Sequence, residues 1–123
     1  MRRPTQLITK SRQKTLLGAF FAAVKSLRLT QKFAARLIDV SSRALYTWRS
    51  GERRMLVRNA RKVRLATLAM RELPDEERAK FRRSAKLIIA PREWAHVLRL
   101  RARVDSLIAN FAYAKGETDG RDT

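Results

Sequence analysis

Apolar residues recur every three or four positions along most of the chain, which predicts a series of amphipathic helices. The first stripe consists of Leu16, Phe20, Val24 and Leu27 and predicts a helix over residues 13–28. No stretch alternates apolar and polar residues with the period of two that a half-buried strand requires. The pattern therefore predicts an all-α fold.

Gly18 lies in the middle of this first predicted helix. A glycine in a helix interior costs about 1 kcal/mol relative to alanine. Its presence indicates a place where a second helix crosses close to the backbone.

The chain then predicts two short helices separated by a tight turn. Thr30 is a suitable N-cap for the first of them. Asp39 interrupts the pattern, and Asp is one of the few non-glycine residues that adopt a left-handed backbone at low cost. Ser41 or Ser42 caps the second helix, which runs to about residue 50 and ends at Gly51.

Three longer helices are predicted after this pair, over residues 55–73, 75–89 and 92–114. Pro74 and Pro91 separate them, because proline lacks the amide hydrogen that a helix interior needs. At the chain ends, residues 1–12 are polar and basic without periodicity and predict a flexible arm. Residues 115–123 are polar and predict a disordered tail.

Charge narrows the class of partner. The chain carries 29 Lys and Arg against 11 Asp and Glu, a net charge of +18. Residues 1–73 hold 18 basic and 3 acidic residues, whereas residues 74–123 hold 11 and 8. A folded half this basic repels itself unless a polyanion offsets the repulsion. Nucleic acid is the expected partner, because its phosphates bind many cations and release counterions; an anionic membrane surface and a merely solvated basic face are the alternatives.

Signals for chemistry are few. Cysteine is absent, which excludes disulfides and thiolate ligands, and no apolar run approaches the roughly 18 residues of a membrane span. The apolar run at 16–24 has the composition of a signal-peptide core, but the helical pattern continues through it. His96 is the single histidine, and no glycine-rich phosphate loop is present. We expect no enzymatic activity, no metal site, no cofactor and no membrane association, and a place in the bacterial cytoplasm on the nucleoid.

Residues 31–50, QKFAARLIDVSSRALYTWRS, resemble the helix-turn-helix of the Cro and lambda-repressor type, the XRE-like family. Gln31 stands where the family often has a glutamine that touches a phosphate, and Ala35 stands where the two helices cross. Asp39 occupies the turn position at which the family prefers glycine. The resemblance extends over about residues 13–73, which would form the DNA-binding domain.

The second helix of the motif carries its own part of the resemblance. Val40 matches the buried turn residue, and Leu45 and Trp48 match the two apolar positions that hold the helix in the core. The stretch WRSGER at 48–53 resembles the family's frequent Trp-x-x-Gly-x-Arg ending.

The outward positions of this helix are polar, as reading a major groove requires. Arginine can donate two hydrogen bonds to guanine, and serine or threonine can bond to bases or phosphates. Ser41 is interpreted first as a helix cap, and Trp48 as a core residue. The predicted contacts to double-stranded DNA are Gln31, Lys32, Ser41, Ser42, Arg43, Tyr46, Thr47, Arg49, Arg53 and Arg54.

The resemblance and the charge together predict a small prokaryotic transcriptional regulator, most simply a repressor that occupies an operator. Two alternatives stay open. One is a plasmid or phage DNA-maintenance or architectural protein that coats repeated sites. The other is an antitoxin whose C-terminal helices bind a toxin. An RNA-binding protein is disfavoured, because readers of single-stranded RNA usually expose aromatics on a sheet or loop.

The C-terminal region, residues 74–114, carries an apolar stripe with spacings of three and four. Its members are Val97, Leu100, Val104, Leu107 and Phe111. This spacing is that of a short heptad seam, which predicts a homodimer through this helix, and the same region could bind a protein partner. The alternative is that the stripe packs on the chain's own 75–90 helix.

Overall fold

The computed structural model describes residues 6–84 and 95–114, which form six α-helices and no strand, so the predicted all-α fold is confirmed. The predictions for residues 1–5, 85–94 and 115–123, including the disordered tail, lie outside the described residues. None of the described helices is both long and apolar enough to cross a membrane. The helices are α1 (Lys10–Ser26), α2 (Gln31–Leu37), α3 (Ser42–Ser50), α4 (Val57–Arg71), α5 (Asp75–Ser84) and α6 (Ala95–Ala114).

The helix α4 lies at the centre of the packing. It contacts α1 on one side and α6 on the other, while α5 packs on α6 and the α2–α3 pair contacts α1 through α3. One face of α4 is apolar and buried, and one continuous core joins it to α1. The buried members of these two faces are Leu17, Phe20, Ala23, Val24, Ala60, Val63, Ala66 and Met70.

The turn between α2 and α3 has the backbone that the sequence predicts. Asp39 adopts a left-handed conformation with φ of 54°. The amide of Val40 donates to the carbonyl of Ala35 at 3.0 Å, and that of Asp39 donates to Arg36 at 3.2 Å. These two bonds form a Schellman motif, which satisfies carbonyls at the end of α2. Ser41 then begins α3 as its N-cap.

The turn between α1 and α2 repeats this arrangement, which the sequence did not signal. Arg28 has φ of 56°, and the amide of Leu29 donates to the carbonyl of Val24 at 3.1 Å. Thr30 follows as the N-cap of α2 and accepts from the amide of Phe33 at 3.1 Å. Arginine rarely adopts this backbone, so the burial of Leu27 and Leu29 on either side must hold it there.

The prediction of a flexible arm over residues 1–12 is wrong for residues 6–12. Ile8 is buried, and its amide donates to the carbonyl of Met55 at 2.9 Å. Thr9 caps α1, which begins at Lys10, three residues earlier than predicted. The physical reason is tertiary: Leu7 and Ile8 are an apolar pair without periodicity, and the backbone partner of Ile8 lies 47 positions away at Met55.

The α6 stripe is not free to form the predicted dimer seam, while the homodimer itself stays a prediction. Val97, Leu100 and Val104 are buried within the chain's own core, and Leu107 packs against it. The ring of Phe111 lies under the guanidinium of Arg61 of α4, at 4.6 Å. The stripe packs on the chain's own helices, with α4 as its main partner and α5 as a second. A spacing of three and four fits any neighbouring helix, so it could not distinguish these outcomes.

Candidate nucleic-acid interface

The helix α3 divides its side chains between core and solvent. Leu45 and Trp48 are buried, so Trp48 is a core residue as expected. Ser42, Arg43 and Tyr46 point outward, and Tyr46 leaves 57% of its surface exposed. The structure therefore brings three of the predicted contacts onto one solvent face of a short, well-capped helix.

Two other predicted contacts use their hydroxyls within α3. The Oγ of Ser41 accepts a hydrogen bond from the amide of Ala44 at 3.0 Å, which is the capping role expected for it. The Oγ1 of Thr47 donates to the carbonyl of Ala44 at 2.8 Å, and Thr47 is half-buried. Thr47 therefore stands at the edge of the exposed face rather than at its centre.

Arg49 and Gln31, predicted separately as contacts, are joined in the structure. The Nη1 of Arg49 donates to the Oε1 of Gln31 at 3.1 Å. The same guanidinium lies 4.2 Å from the centre of the Phe21 ring, a cation–π distance. Side chains from α1, α2 and α3 thus meet at one point, which fixes the direction of Arg49 before any ligand binds.

The segment that follows α3 is held by a buried glutamine that sequence reasoning missed. Gln13 of α1 donates from Nε2 to the carbonyls of Trp48 at 2.9 Å and Arg53 at 2.8 Å. Its Oε1 accepts from the amide of Met55 at 2.7 Å. Gly51 reverses the chain here with φ of 85°. One side chain therefore satisfies three backbone groups across the loop between α3 and α4.

The remaining predicted contacts lie outside α3. Lys32 is exposed at the start of α2, and Arg53 is exposed in the loop after α3. Arg54 is exposed as well, but its Nε donates to the carbonyl of Ile8 at 2.9 Å. That bond ties Arg54 to the segment before α1.

The part of the chain that carries this face is strongly basic. Residues 6–71 hold 16 Lys and Arg and only two acids, Asp39 and Glu52. The ion pairs found in the described part of the chain involve Glu72 and Glu77 instead, which contact cations of α5 and α6. The charge of the α1–α4 region is therefore left largely uncompensated by the chain itself.

A groove of about 1240 Å³ opens between α1 and the end of α3; we call it the α1–α3 groove. Its floor is apolar and includes Leu17, Phe21 and Trp48. Its rim is cationic, with Lys10, Lys14, Lys25, Arg28, Arg49 and Arg54.

His96, the single histidine of the chain, packs in the interior of the protein. It is buried on α6 with its ring 4.6 Å from that of Phe81, edge to face. Burial lowers the pKa of His96, and the positive charges of Arg99, Lys80 and Arg83 lower it further, while Glu77 opposes them. No group of three His, Cys, Asp or Glu side chains among residues 6–84 and 95–114 is arranged to hold a metal ion.

Comparison with known proteins finds no matching family model, no matching curated protein and no matching solved structure.

Proposed function

We propose that the chain is a sequence-specific double-stranded DNA-binding protein, a small prokaryotic transcriptional regulator that represses by occupying its operator. The observation that carries the proposal is the exposed face of α3, with Ser42, Arg43 and Tyr46 directed outward and Leu45 and Trp48 fixed in the core. A rigid helix with this division of side chains suits insertion into a major groove.

The dimensions support this mode of binding. An α-helix with its side chains is about 10–12 Å in diameter, which fits the width of about 12 Å of a major groove. With nine residues, α3 is about 13 Å long. Arg43 lies in the first turn of α3, the part of a recognition helix that reaches base edges. Its guanidinium can donate two hydrogen bonds to a guanine, and the hydroxyls of Ser42 and Tyr46 can bond to neighbouring bases or phosphates.

Side chains before and after α3 supply the phosphate contacts. Lys32 precedes it, and Arg53 and Arg54 follow it on the loop that Gln13 holds. Arg49 adds a positive charge at the end of the helix, held by its hydrogen bond to Gln31 and its cation–π contact with Phe21. Such contacts set the register of a protein on the duplex, while the base contacts of α3 specify sequence.

Selection of bound duplexes from a random pool tests the proposal. The intact chain should enrich one short motif that contains a guanine. Arg43→Ala should then lose about 1–3 kcal/mol on that motif and lose preference at a single base pair. The matched control is Arg101→Ala, which removes the same charge from an exposed position on α6.

Two results would count against the proposal. If the selected pool remained random in sequence, binding to DNA would be nonspecific and due to charge alone. An equal loss on every sequence from Arg43→Ala, matching that from Arg101→Ala, would remove Arg43 from base reading.

A further inference from the structure

The α1–α3 groove has an apolar floor, which DNA binding does not explain. Its floor is formed by apolar side chains of α1 and α3, among them Leu17, Val24 and Trp48, together with the half-exposed ring of Phe21. A phosphate backbone gains nothing from an apolar floor, whereas the apolar face of an amphipathic helix does.

The backbone of α1 is open at the middle of this floor. A Cβ built on Gly18 would meet no atom within 4 Å, and Ala22, one turn further, is exposed. The sequence predicted that Gly18 permits a close helix crossing, but none of the described helices crosses there. The space over Gly18 therefore remains available to a helix from outside the described chain.

The cationic rim of the groove indicates that its occupant is acidic. Lys14 and Lys25 lie on α1 to either side of Gly18, and Arg28, Arg49 and Arg54 complete the rim. Within the described residues no Asp or Glu lines the groove. A second copy of this chain, with its net charge of +18, would be repelled.

We propose that the α1–α3 groove is the docking site for an acidic amphipathic helix of a partner protein. The apolar side chains of the partner pack over Gly18 and Phe21, and its flanking carboxylates pair with Lys14, Lys25 and Arg28. From Lys10 to Lys25 the groove follows α1 for about 22 Å, which accommodates about four turns of a partner helix.

Docking there would also regulate DNA binding, and this step rests on the function proposed above. Gln31, Arg49 and Arg54 line the groove and belong to the predicted DNA contacts. An acidic helix in the groove would pair with these side chains, so they could no longer contact DNA. Its remaining carboxylates would repel the DNA phosphates. The partner and the operator would then exclude each other.

The test uses a fluorescein-labelled acidic peptide of about 15 residues with Leu at helical spacings of three and four and Glu elsewhere. A permuted peptide of the same composition, with Leu spread around the helix, controls for charge. Full-length protein should bind the ordered peptide about tenfold more tightly than the permuted one. Equal affinity would reduce the attraction to charge alone and overturn the proposal.

Variants then locate the site. Gly18→Trp fills the groove and should weaken binding of the ordered peptide about tenfold, because it occupies the space of the partner's apolar face. Ala102→Trp at an exposed position of α6 should leave it unchanged. Lys14→Gln with Lys25→Gln tests the rim without altering the floor and should weaken binding more than Arg64→Gln with Arg101→Gln. An unchanged affinity in Gly18→Trp would place the peptide elsewhere and refute the assignment.

Competition separates this proposal from DNA binding itself. Direct anisotropy of a labelled duplex, without peptide, reports DNA binding alone. The ordered peptide should displace that duplex, and a ternary complex would refute mutual exclusion. If Gly18→Trp weakened the duplex while the intact protein ignored the peptide, the groove would hold nucleic acid and the proposal would fail.

Discussion

Gln13→Met is the substitution that tests most directly how the fold supports α3. Gln13 is 4% exposed, and its amide bonds to the carbonyls of Trp48 and Arg53 and to the amide of Met55. Methionine has a similar length and volume, so the packing is conserved while all three hydrogen bonds are lost. Two of these bonds are buried and the third is partly buried.

The expected loss follows from the groups left without partners. A buried donor or acceptor without a partner costs about 1–3 kcal/mol, and water can reach the partly buried carbonyl of Arg53. We therefore expect the free energy of unfolding to fall by about 2–4 kcal/mol. For a domain of this size, the melting temperature should fall by about 4 °C for each kcal/mol.

Urea unfolding followed by far-UV circular dichroism measures this loss. Lys14→Met is the matched control, because Lys14 is the exposed neighbour of Gln13 on α1. It should change stability by less than about 0.5 kcal/mol. A loss in Gln13→Met no larger than that of the control would refute the reasoning that these three bonds hold the loop after α3.

Four further outcomes follow from the structure and the charge of the chain. Asp39→Gly should raise the free energy of unfolding by about 0.5 kcal/mol, because glycine adopts the left-handed backbone without strain. Asp39→Asn controls for the loss of charge. A glycine variant less stable than the parent would contradict the turn geometry. Because the pKa of His96 is lowered from 6.5, the folded state binds fewer protons than the unfolded state, so stability should fall as the pH drops below about 7. A His96→Leu variant should flatten that part of the urea-midpoint profile, and an unchanged slope would show that other groups cause it. Glu77, whose pKa is lowered chiefly by its hydrogen bond to Lys80 and then by Arg99, should add a loss below pH 4.5. DNA affinity should fall with salt at a log–log slope near −5 if about six phosphates are neutralised, whereas a slope near zero would exclude the electrostatic mode.

Local signals in the sequence predicted the α2–α3 turn. Asp39 and Ser41 act through bonds to residues within five positions, so their residue types indicate the left-handed turn and the cap. The apolar faces of α1 and α4 were predictable for the same reason, because a period of 3.6 residues is a property of one helix.

The features that the sequence did not predict depend on distant partners. Ile8 is bonded to the distant Met55, and Gln13 is an ordinary polar residue in the sequence whose three partners lie in the distant segment 48–55. Arg28 carries no local signal for its left-handed backbone. The stripe on α6 was visible, but its period is compatible with a second chain or with α4, and only the tertiary structure distinguishes them.

Site-specific photocrosslinking tests the central claim, that α3 enters the duplex, most directly. Benzoylphenylalanine replaces Tyr46 on α3, which is 57% exposed, or Leu98 on α6, which is 53% exposed, so the two probes are equally accessible. On the duplex that the protein selects, position 46 should crosslink to DNA and position 98 should not. Crosslinking from position 98 alone, or equal yields from both positions, would contradict the claim that α3 reads the DNA.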